Sequence, residues 1–348
     1  MFQTIHLLRV YQLKLLKRFK SVTMKENDIR PQELFDELLR LNKLDIDKYF
    51  TNSEKEVLLC PACDTQGVSS FSKNSFSFDE CPECKTLYVS PRPKREYFDA
   101  YYTDSESTKY WATTFYKATE QNRREMLWKP KAKLISDKIK QFSPNTKKLI
   151  DIGGGYGTFM EEFLKISDME HLIIEPSQYL SEACKEKGLS VVVKFLEDIS
   201  EKDLPIDEKT FVSFELFEHL HTTREFLETL NDVMSSGDVF IFTTLSGMGV
   251  DIRVLWEESK PVSPPMHLNF LNPKSIELLL NSTGFEVLEV TTPGKLDVDI
   301  MNNNKDKIKD RFWKDYLEYS TDEERQKMQL FLSDNLLSSH MMIVCKKV

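Results

Sequence analysis

The sequence predicts an α/β protein: a parallel, doubly wound sheet, preceded by a helical segment and a small cysteine-bearing module. Three observations carry that expectation. Short apolar runs alternate with amphipathic stretches from Lys147 onward. The first run leads straight into a glycine-rich turn, LIDIGGGYGTF, Leu149 to Phe159. Upstream, four of the six cysteines fall in two C-x-x-C pairs.

The alternation reads in order. KKLIDI is a strand and TFMEEFLKI a helix; HLIIE is a strand and SQYLSEACKEKG a helix; LSVVV is a strand. TFVSFE is a strand followed by the helix TREFLETLNDVM, and DVFIFTTL is the next strand. PKSIELLLNSTG is a helix and FEVLEVTT a strand. Strands this apolar, separated by helices, are covered on both faces. A polar, helical stretch at about 295–335 interrupts the scheme. SSHMMIVCKKV then closes it with a late strand, free to pair antiparallel with its neighbours.

Ahead of the sheet the expected units are an N-terminal helical segment (1–54), a zinc ribbon (55–95) and an aromatic helical connector or lid (96–144), leaving 145–348 for the main domain. In the first segment Leu8, Tyr11, Leu15 and Phe19 share one face of a basic helix. It suits a membrane surface, a partner, or packing on its own domain. PQELFDELLRLNKLDIDKYF forms a second helix, with Pro31 in its first turn. The connector carries Tyr97, Phe98, Tyr101, Tyr102, Tyr110, Trp111, Phe115, Tyr116 and Trp128.

Net charge is −9, although the first 25 residues hold six basic residues and no acidic one. A body that acidic is a poor match for a nucleic-acid backbone. No run reaches the ~18 apolar residues a membrane span requires, and charges interrupt the N-terminal apolar residues as they would not in a signal peptide. A cytoplasmic location is expected.

Glycines after a first strand let a cofactor approach bare backbone. The spacing is D-x-G-x-G-x-G: Asp151, Gly153, Gly155, Gly157, with Gly154 between and Thr158 where a dinucleotide fingerprint would place its last glycine. A diphosphate on a helix N-terminus would be repelled by Asp151. S-adenosylmethionine carries no phosphate, and an acid beside its ammonium is favourable. Glu175 in HLIIEPS ends the next strand about twenty residues on, where a carboxylate accepts from both ribose hydroxyls.

Cys60-Pro-Ala-Cys63 and Cys81-Pro-Glu-Cys84 form C-x₂-C-x₁₇-C-x₂-C. Four thiolates at this separation suit a tetrahedral, structural Zn²⁺ with no open position. Cys184 and Cys345 read as buried apolar residues. Among the six histidines, His267 in PPMHLNF is the first candidate general base for a hydroxyl acceptor, because it follows the fifth strand on the side where the strands' carboxyl ends open. Asn269 is expected to orient its ring. His219 in FEHLH is the second candidate; His171 reads as structural, and His6 and His340 receive no role. Tyr110, Trp111 and Trp128 are expected around a sulfonium, Arg123 or Arg124 against the methionine carboxylate, and Trp313 and Tyr316 on the substrate wall.

Residues ~145–348 resemble a class I S-adenosylmethionine-dependent methyltransferase. They are most similar to ubiquinone-biosynthesis O-methyltransferases and to sugar or small-molecule methyltransferases of bacterial polysaccharide clusters. LIDIGGGYGTF and IIEPS carry the cofactor fold; VSFELFEHL, PPMHLNFLNPKSIELLLNSTGFEV and SSHMMIVCKK point to the branch. LYVSPRP, after the last paired cysteine, matches how that branch leaves its ribbon. The resemblance implies a Rossmann-like sheet of seven strands in the order 3-2-1-4-5-7-6, strand 7 antiparallel. It places Asp151 to Gly157 around the methionine moiety, Glu175 on the ribose and Phe195, Leu196, Glu197 and Asp198 along the adenine. Glu197 and Asp198 are alternatives for the acid beside the adenine amine. Glu215 is placed at the sulfonium end. The expected activity is methyl transfer to a small-molecule hydroxyl, such as a sugar's. Two rivals stand: an RNA methyltransferase gripping RNA through the ribbon and the basic residues between Lys85 and Lys133, and a non-catalytic scaffold that keeps the fold for binding only.

Overall fold

The computed structural model describes residues 24–205 and 208–348. The basic N-terminal helix expected over residues 1–20 lies outside the described residues. Five short strands come first: β1 (Lys55–Glu56), β2 (Val68–Lys73), β3 (Phe76–Glu80), β4 (Leu87–Val89) and β5 (Arg92–Pro93). Eight follow: β6 (Lys148–Ile152), β7 (Glu170–Ile174), β8 (Val191–Val192), β9 (Lys209–Phe214), β10 (Val239–Leu245), β11 (Asn269–Phe270), β12 (Phe285–Thr291) and β13 (His340–Lys347).

Seven of these form the main sheet, in the order β12-β13-β10-β9-β6-β7-β8. Strands β6 to β10 pair in parallel, and β13 runs antiparallel between β10 and β12. The seven-stranded Rossmann-like sheet expected from the sequence is therefore present, with the late strand inserted as the reversed one. Period-two alternation decides which side chain meets which layer. Leu149, Val212, Val239 and Ile241 face a cluster made by the helices Lys129–Phe142 and Thr158–Leu164. Ile150, Phe211, Phe240 and Phe242 face the opposite cluster, with Phe226 and Leu230 of helix Thr223–Val233 and Leu279 of helix Pro273–Ser282.

A second sheet decides where the cysteine module sits. Its order is β11-β4-β3-β2, so β11, from the chain just after His267, completes the module's own sheet. Asn269 pairs with Tyr88 and Phe270 with Leu87, and the Val89 N–H donates to Leu268 O at 3.0 Å. The hairpin β2–β3 turns on Asn74 and Ser75, both with positive φ, as a tight two-residue connection demands.

Ahead of β6 a single helical run extends from Glu106 to Phe142, with two wider π-helical stretches, Trp111–Tyr116 and Arg124–Trp128. Such stretches often mark functional positions. Pro31 stands one residue before the helix Gln32–Tyr49 rather than in its first turn. Within the polar stretch after β12 are the helices Asp297–Asn303, Arg311–Tyr319 and Asp322–Asp334. Trp313 and Tyr316 pack there against a cluster of Leu255, Met301, Leu317 and Leu332, which gives them a local core to fill in place of the substrate wall expected of them. No helix among the described residues is long and apolar enough to cross a membrane.

Candidate active site

The glycine turn lies at the carboxyl end of β6. Gly153, Gly155 and Gly157 all have positive φ, between 56° and 71°. Two of them answer different demands. A Cβ on Gly157 would stand 2.5 Å from Leu189 Cδ1 and 3.0 Å from Cys184 Sγ, so this glycine allows the turn to pack. A Cβ on Gly155 would meet nothing within 4 Å, so its bare backbone borders open space. Gly157→Ala is expected to lower stability by about 1–3 kcal/mol, from the left-handed backbone and overpacking together. Gly155→Ala should cost only the backbone term, about 1–2 kcal/mol, while weakening cofactor binding at least tenfold. Thermal melts and calorimetric titration of both variants check the separation.

Glu175, at the end of β7, is buried against this turn. One carboxylate oxygen accepts from Gly155 N at 2.9 Å and the other from Ser177 N at 2.9 Å. Each oxygen keeps a further lone pair for a ligand hydroxyl. Asp151 is also buried, and its Oδ1 has no hydrogen-bond partner among the described residues. Burial first, then the negative Glu175, push its carboxyl up to about 7, against the pull of Lys131. The folded carboxyl therefore keeps its proton up to about pH 7, while the unfolded chain releases it near 3.8. The contribution of this group to stability is fully present below about pH 4 and is lost as pH rises through about 7. Asp151→Asn is expected to raise the melting temperature above pH 7, with the gain fading toward pH 4, while S-adenosylmethionine affinity falls. Melts across that range, with and without the cofactor, measure both.

At the end of β9 Glu215 adopts φ 54°. Its Oε1 accepts from Thr243 Oγ1 at 2.7 Å, His340 Nε2 at 2.7 Å and Lys131 Nζ at 3.2 Å. Burial alone would raise this carboxyl, but His340 and Lys131 hold it well below the usual range. A Cβ on Gly153 would lie 3.0 Å from Leu216, so the segment Glu215–His219 abuts the turn; Gly154 instead faces Ile173 on β7. Leu196 and Glu197 form part of the tight turn Leu196–Asp198. Leu196 is buried in the core, and Glu197 is ion-paired with Arg95 at 2.8 Å.

The long helix closes over the turn. Tyr116 stacks on Tyr156 at 4.7 Å and donates to Thr158 Oγ1 at 2.9 Å, and the Tyr156 hydroxyl donates to Ala112 O at 2.7 Å. Trp128 packs edge-on against Phe159 and Phe214, and its Nε1 is buried without a partner among the described residues. The two arginines expected at the methionine carboxylate are otherwise engaged. Arg124 pairs with Glu120, Glu161 and Glu162, and Arg123 donates to Thr119 Oγ1 and Ile29 O. An arginine surrounded by three carboxylates is already satisfied.

His219 and His267 come together from separate loops, rings edge to face with centroids 4.7 Å apart. His219 Nδ1 bonds Met266 O at 2.8 Å and His267 Nδ1 bonds Pro261 O at 2.6 Å. Loss of hydration pushes His219 down to about 4 and His267, which also faces His219, to about 3. Both rings are neutral at physiological pH. Asn269 does not orient His267: its side chain accepts from Arg92 Nη2 at 2.8 Å and donates to Leu220 O at 2.7 Å. The reason is the neighbouring guanidinium. Arg92, buried, also donates to Val89 O, Leu268 O and His221 O, stitching the module's exit to both histidine segments. His171 accepts from Ser190 N, at the edge of the sheet.

The four paired cysteines meet in one cluster. Cys60 Sγ lies 3.4 Å from Cys84 Sγ, and Cys63 Sγ lies 3.5 Å from both Cys81 Sγ and Cys84 Sγ. A tetrahedral zinc with bonds of ~2.3 Å sets its sulfurs about 3.8 Å apart, so the group can hold zinc. The two knuckles repeat one design, CPACDT and CPECKT. Asp64 and Lys85 take positive φ, and their N–H groups donate to the carbonyls of Cys60 and Cys81, the first cysteine of each knuckle. Thr65 and Thr86 place hydroxyls against Cys63 and Cys84.

The sheet order with its single reversed strand, and the glycine turn on the central strand, define a class I methyltransferase fold. Residues 123–290 match the family model described as a methyltransferase domain. Similar solved structures include the plantazolicin methyltransferase BamL in complex with a triazolic desmethylPZN analog and SAH: 14% identity, 72% of this chain and 93% of that chain covered, TM-score 0.46. A SAM-dependent methyltransferase from Archaeoglobus fulgidus aligns at 16% identity over 62% of this chain and 94% of its own, with a TM-score of 0.40. One from Clostridium acetobutylicum aligns at 12% identity over 67% and 98%, with a TM-score of 0.41. No curated protein matches the chain.

Sequence reasoning missed His340, Lys131, Thr243 and Glu218. Glu218 was within reach, as the residue beside His219 in FEHL. His340 gave no signal, because only the insertion of β13 beside β10 brings it to Glu215.

Proposed function

We propose that the protein transfers a methyl group from S-adenosylmethionine to a hydroxyl of a small-molecule acceptor, a sugar or a related biosynthetic intermediate, and that its four paired cysteines hold a structural zinc. The observation that carries this reading is the Glu175 carboxylate bonded to the N–H of Gly155, beside Asp151, whose buried Oδ1 has no partner among the described residues. A ribose fits the first and an ammonium the second; a diphosphate fits neither. When bound, the cofactor supplies an electrophilic methyl on a sulfonium. Glu215, at the next strand end, gives that charge an ionised neighbour. His267, its Nδ1–H engaged by Pro261, takes the acceptor's hydroxyl on Nε2, with His219 beside it. The protein's work is to hold the two reactants in line with water excluded, and Tyr116, Tyr156 and the helix above them form the cover.

The charge distribution weighs against RNA as the acceptor. Arg92, Lys94, Arg95, Arg123, Arg124, Lys129 and Lys131 are all engaged by carboxylates or carbonyls within the fold. Titration calorimetry with S-adenosylmethionine tests the reading. Binding in the micromolar range is expected; no heat at millimolar ligand would leave a fold without a cofactor and end the proposal.

A further inference from the structure

We infer that a basic cavity between the helix Gln32–Tyr49, the cysteine module and the segment leading to His267 is a binding site for a phosphate-bearing small molecule. The cavity measures about 450 Å³, within the range of small-ligand sites and larger than a lone phosphate needs. Four elements surround it: that helix, the tip of the β2–β3 hairpin, the segment 258–263 and the turn Lys305–Lys307. None of its lining residues belongs to the glycine turn or to the histidine pair.

Its charge is one-sided. Five cationic side chains line it, against two carboxylates. Two of the cations are already matched: Arg40 pairs with Glu37 at 2.7 Å and Lys260 with Asp36 at 3.6 Å. That leaves Lys43, Lys73 and Lys307 facing Glu258, a surplus of two positive charges. A phosphate group carries about −1.5 to −2, which balances it.

The cations are held in place. Lys73 is half-buried, and its Nζ donates to Ser259 O at 2.7 Å with no carboxylate within ion-pair distance among the described residues. Burial pushes this ammonium down to about 8, with Lys307 adding to the push and Glu258 and Glu257 opposing it. A cation drawn out of water without a counter-ion is costly, and an anion in the cavity offsets that cost. Lys307 Nζ contacts only the neutral Asn304 Oδ1, at 3.4 Å, and Lys43 has no partner among the described residues. The second, independent sign is Ser263. It lines the cavity, is 3% exposed, and its hydroxyl has no partner among the described residues. A buried hydroxyl left unbonded is a cost that a phosphate oxygen would remove. An occupant would also brace the chain toward the histidines, because Ser263 O accepts the His267 N–H at 3.1 Å and Pro261 O holds its ring.

Calorimetric titration of the full chain with inorganic phosphate, at about 0.15 M salt so that loose surface charge is screened, is expected to show saturable binding of one ion per chain in the sub-millimolar range. Glucose 1-phosphate is the second probe: tighter binding than phosphate marks an organic phosphate as the occupant, and equal binding marks the free ion. Lys73→Met should weaken phosphate binding about tenfold or more. The exposed pair Lys43→Gln and Lys307→Gln, which leaves the core untouched, should weaken it by about two- to fivefold each, and Ser263→Ala by a similar factor. S-adenosylmethionine binding should be the same in all four variants. Absence of saturable binding of both probes at millimolar concentration, or full affinity in the combined Lys43→Gln and Lys307→Gln variant, overturns the inference and leaves the methyl-transfer reading standing. Phosphate binding in a chain that does not bind S-adenosylmethionine ends that reading and leaves this site.

Discussion

If the four cysteines hold zinc as proposed, its removal is expected to unfold residues 55–95 and to release the loop that carries His267. Structural zinc contributes about 10–16 kcal/mol of apparent binding energy in small zinc modules, more than a ribbon of short strands can supply by burial. The loss should not stay local. Leu87 and Tyr88 pair with Phe270 and Asn269, Arg92 bridges to Leu268 and His221, and Asn272 Nδ2 donates to Cys84 O at 2.7 Å. Cys60, Cys81 and Cys84 also lie in the same buried cluster as Leu271, Ile276 and Leu279. Chelation, or Cys84→Ser, should lower the melting temperature by more than 10 °C and raise amide exchange over residues 261–272. Unchanged exchange there after full zinc release would show the ribbon to be an independent appendage.

Glu175→Ala is expected to weaken S-adenosylmethionine binding at least a hundredfold. Hydrogen bonds to a charged group contribute about 1.5–3 kcal/mol each, and on the proposed reading two ribose hydroxyls are at stake. The substitution also leaves the N–H groups of Gly155 and Ser177 without their acceptor, so the turn loosens as the grip is lost. Glu175→Gln, which keeps one accepting oxygen, should fall between. Calorimetry decides: an alanine variant that binds as tightly as the unaltered chain would remove the ribose from this carboxylate.

Both predictions rest on residues that could be named before any fold was known, though for different reasons. The glycine turn and Glu175 are legible because a strand end fixes backbone and side chain within a few residues, and sheet periodicity then sets Glu175 one strand over. The cysteines are legible because a tetrahedral site demands two close pairs, whatever surrounds them. The histidines were legible as residue types but not as a pair. Their shared geometry depends on two loops, forty-eight positions apart, being drawn together by Leu268 and Glu218. Arg123, Arg124 and Asn269 were misjudged for one reason: a sequence shows donors and acceptors but not which are already spent, and here Glu161, Glu162, Ile29 and Arg92 spend them.

The sequence by itself determined the layered sheet, the bare turn and the four-cysteine cluster, because each follows from local periodicity, from φ that only glycine adopts freely, or from the spacing of the cysteines along a short segment. Only the tertiary structure decided that β11 is a strand of the cysteine module, that β13 carries His340 to Glu215, and that Glu218 meets two imidazoles. Those are contacts between segments far apart in the chain, and burial and strand pairing select them with no trace in the spacing of any one segment.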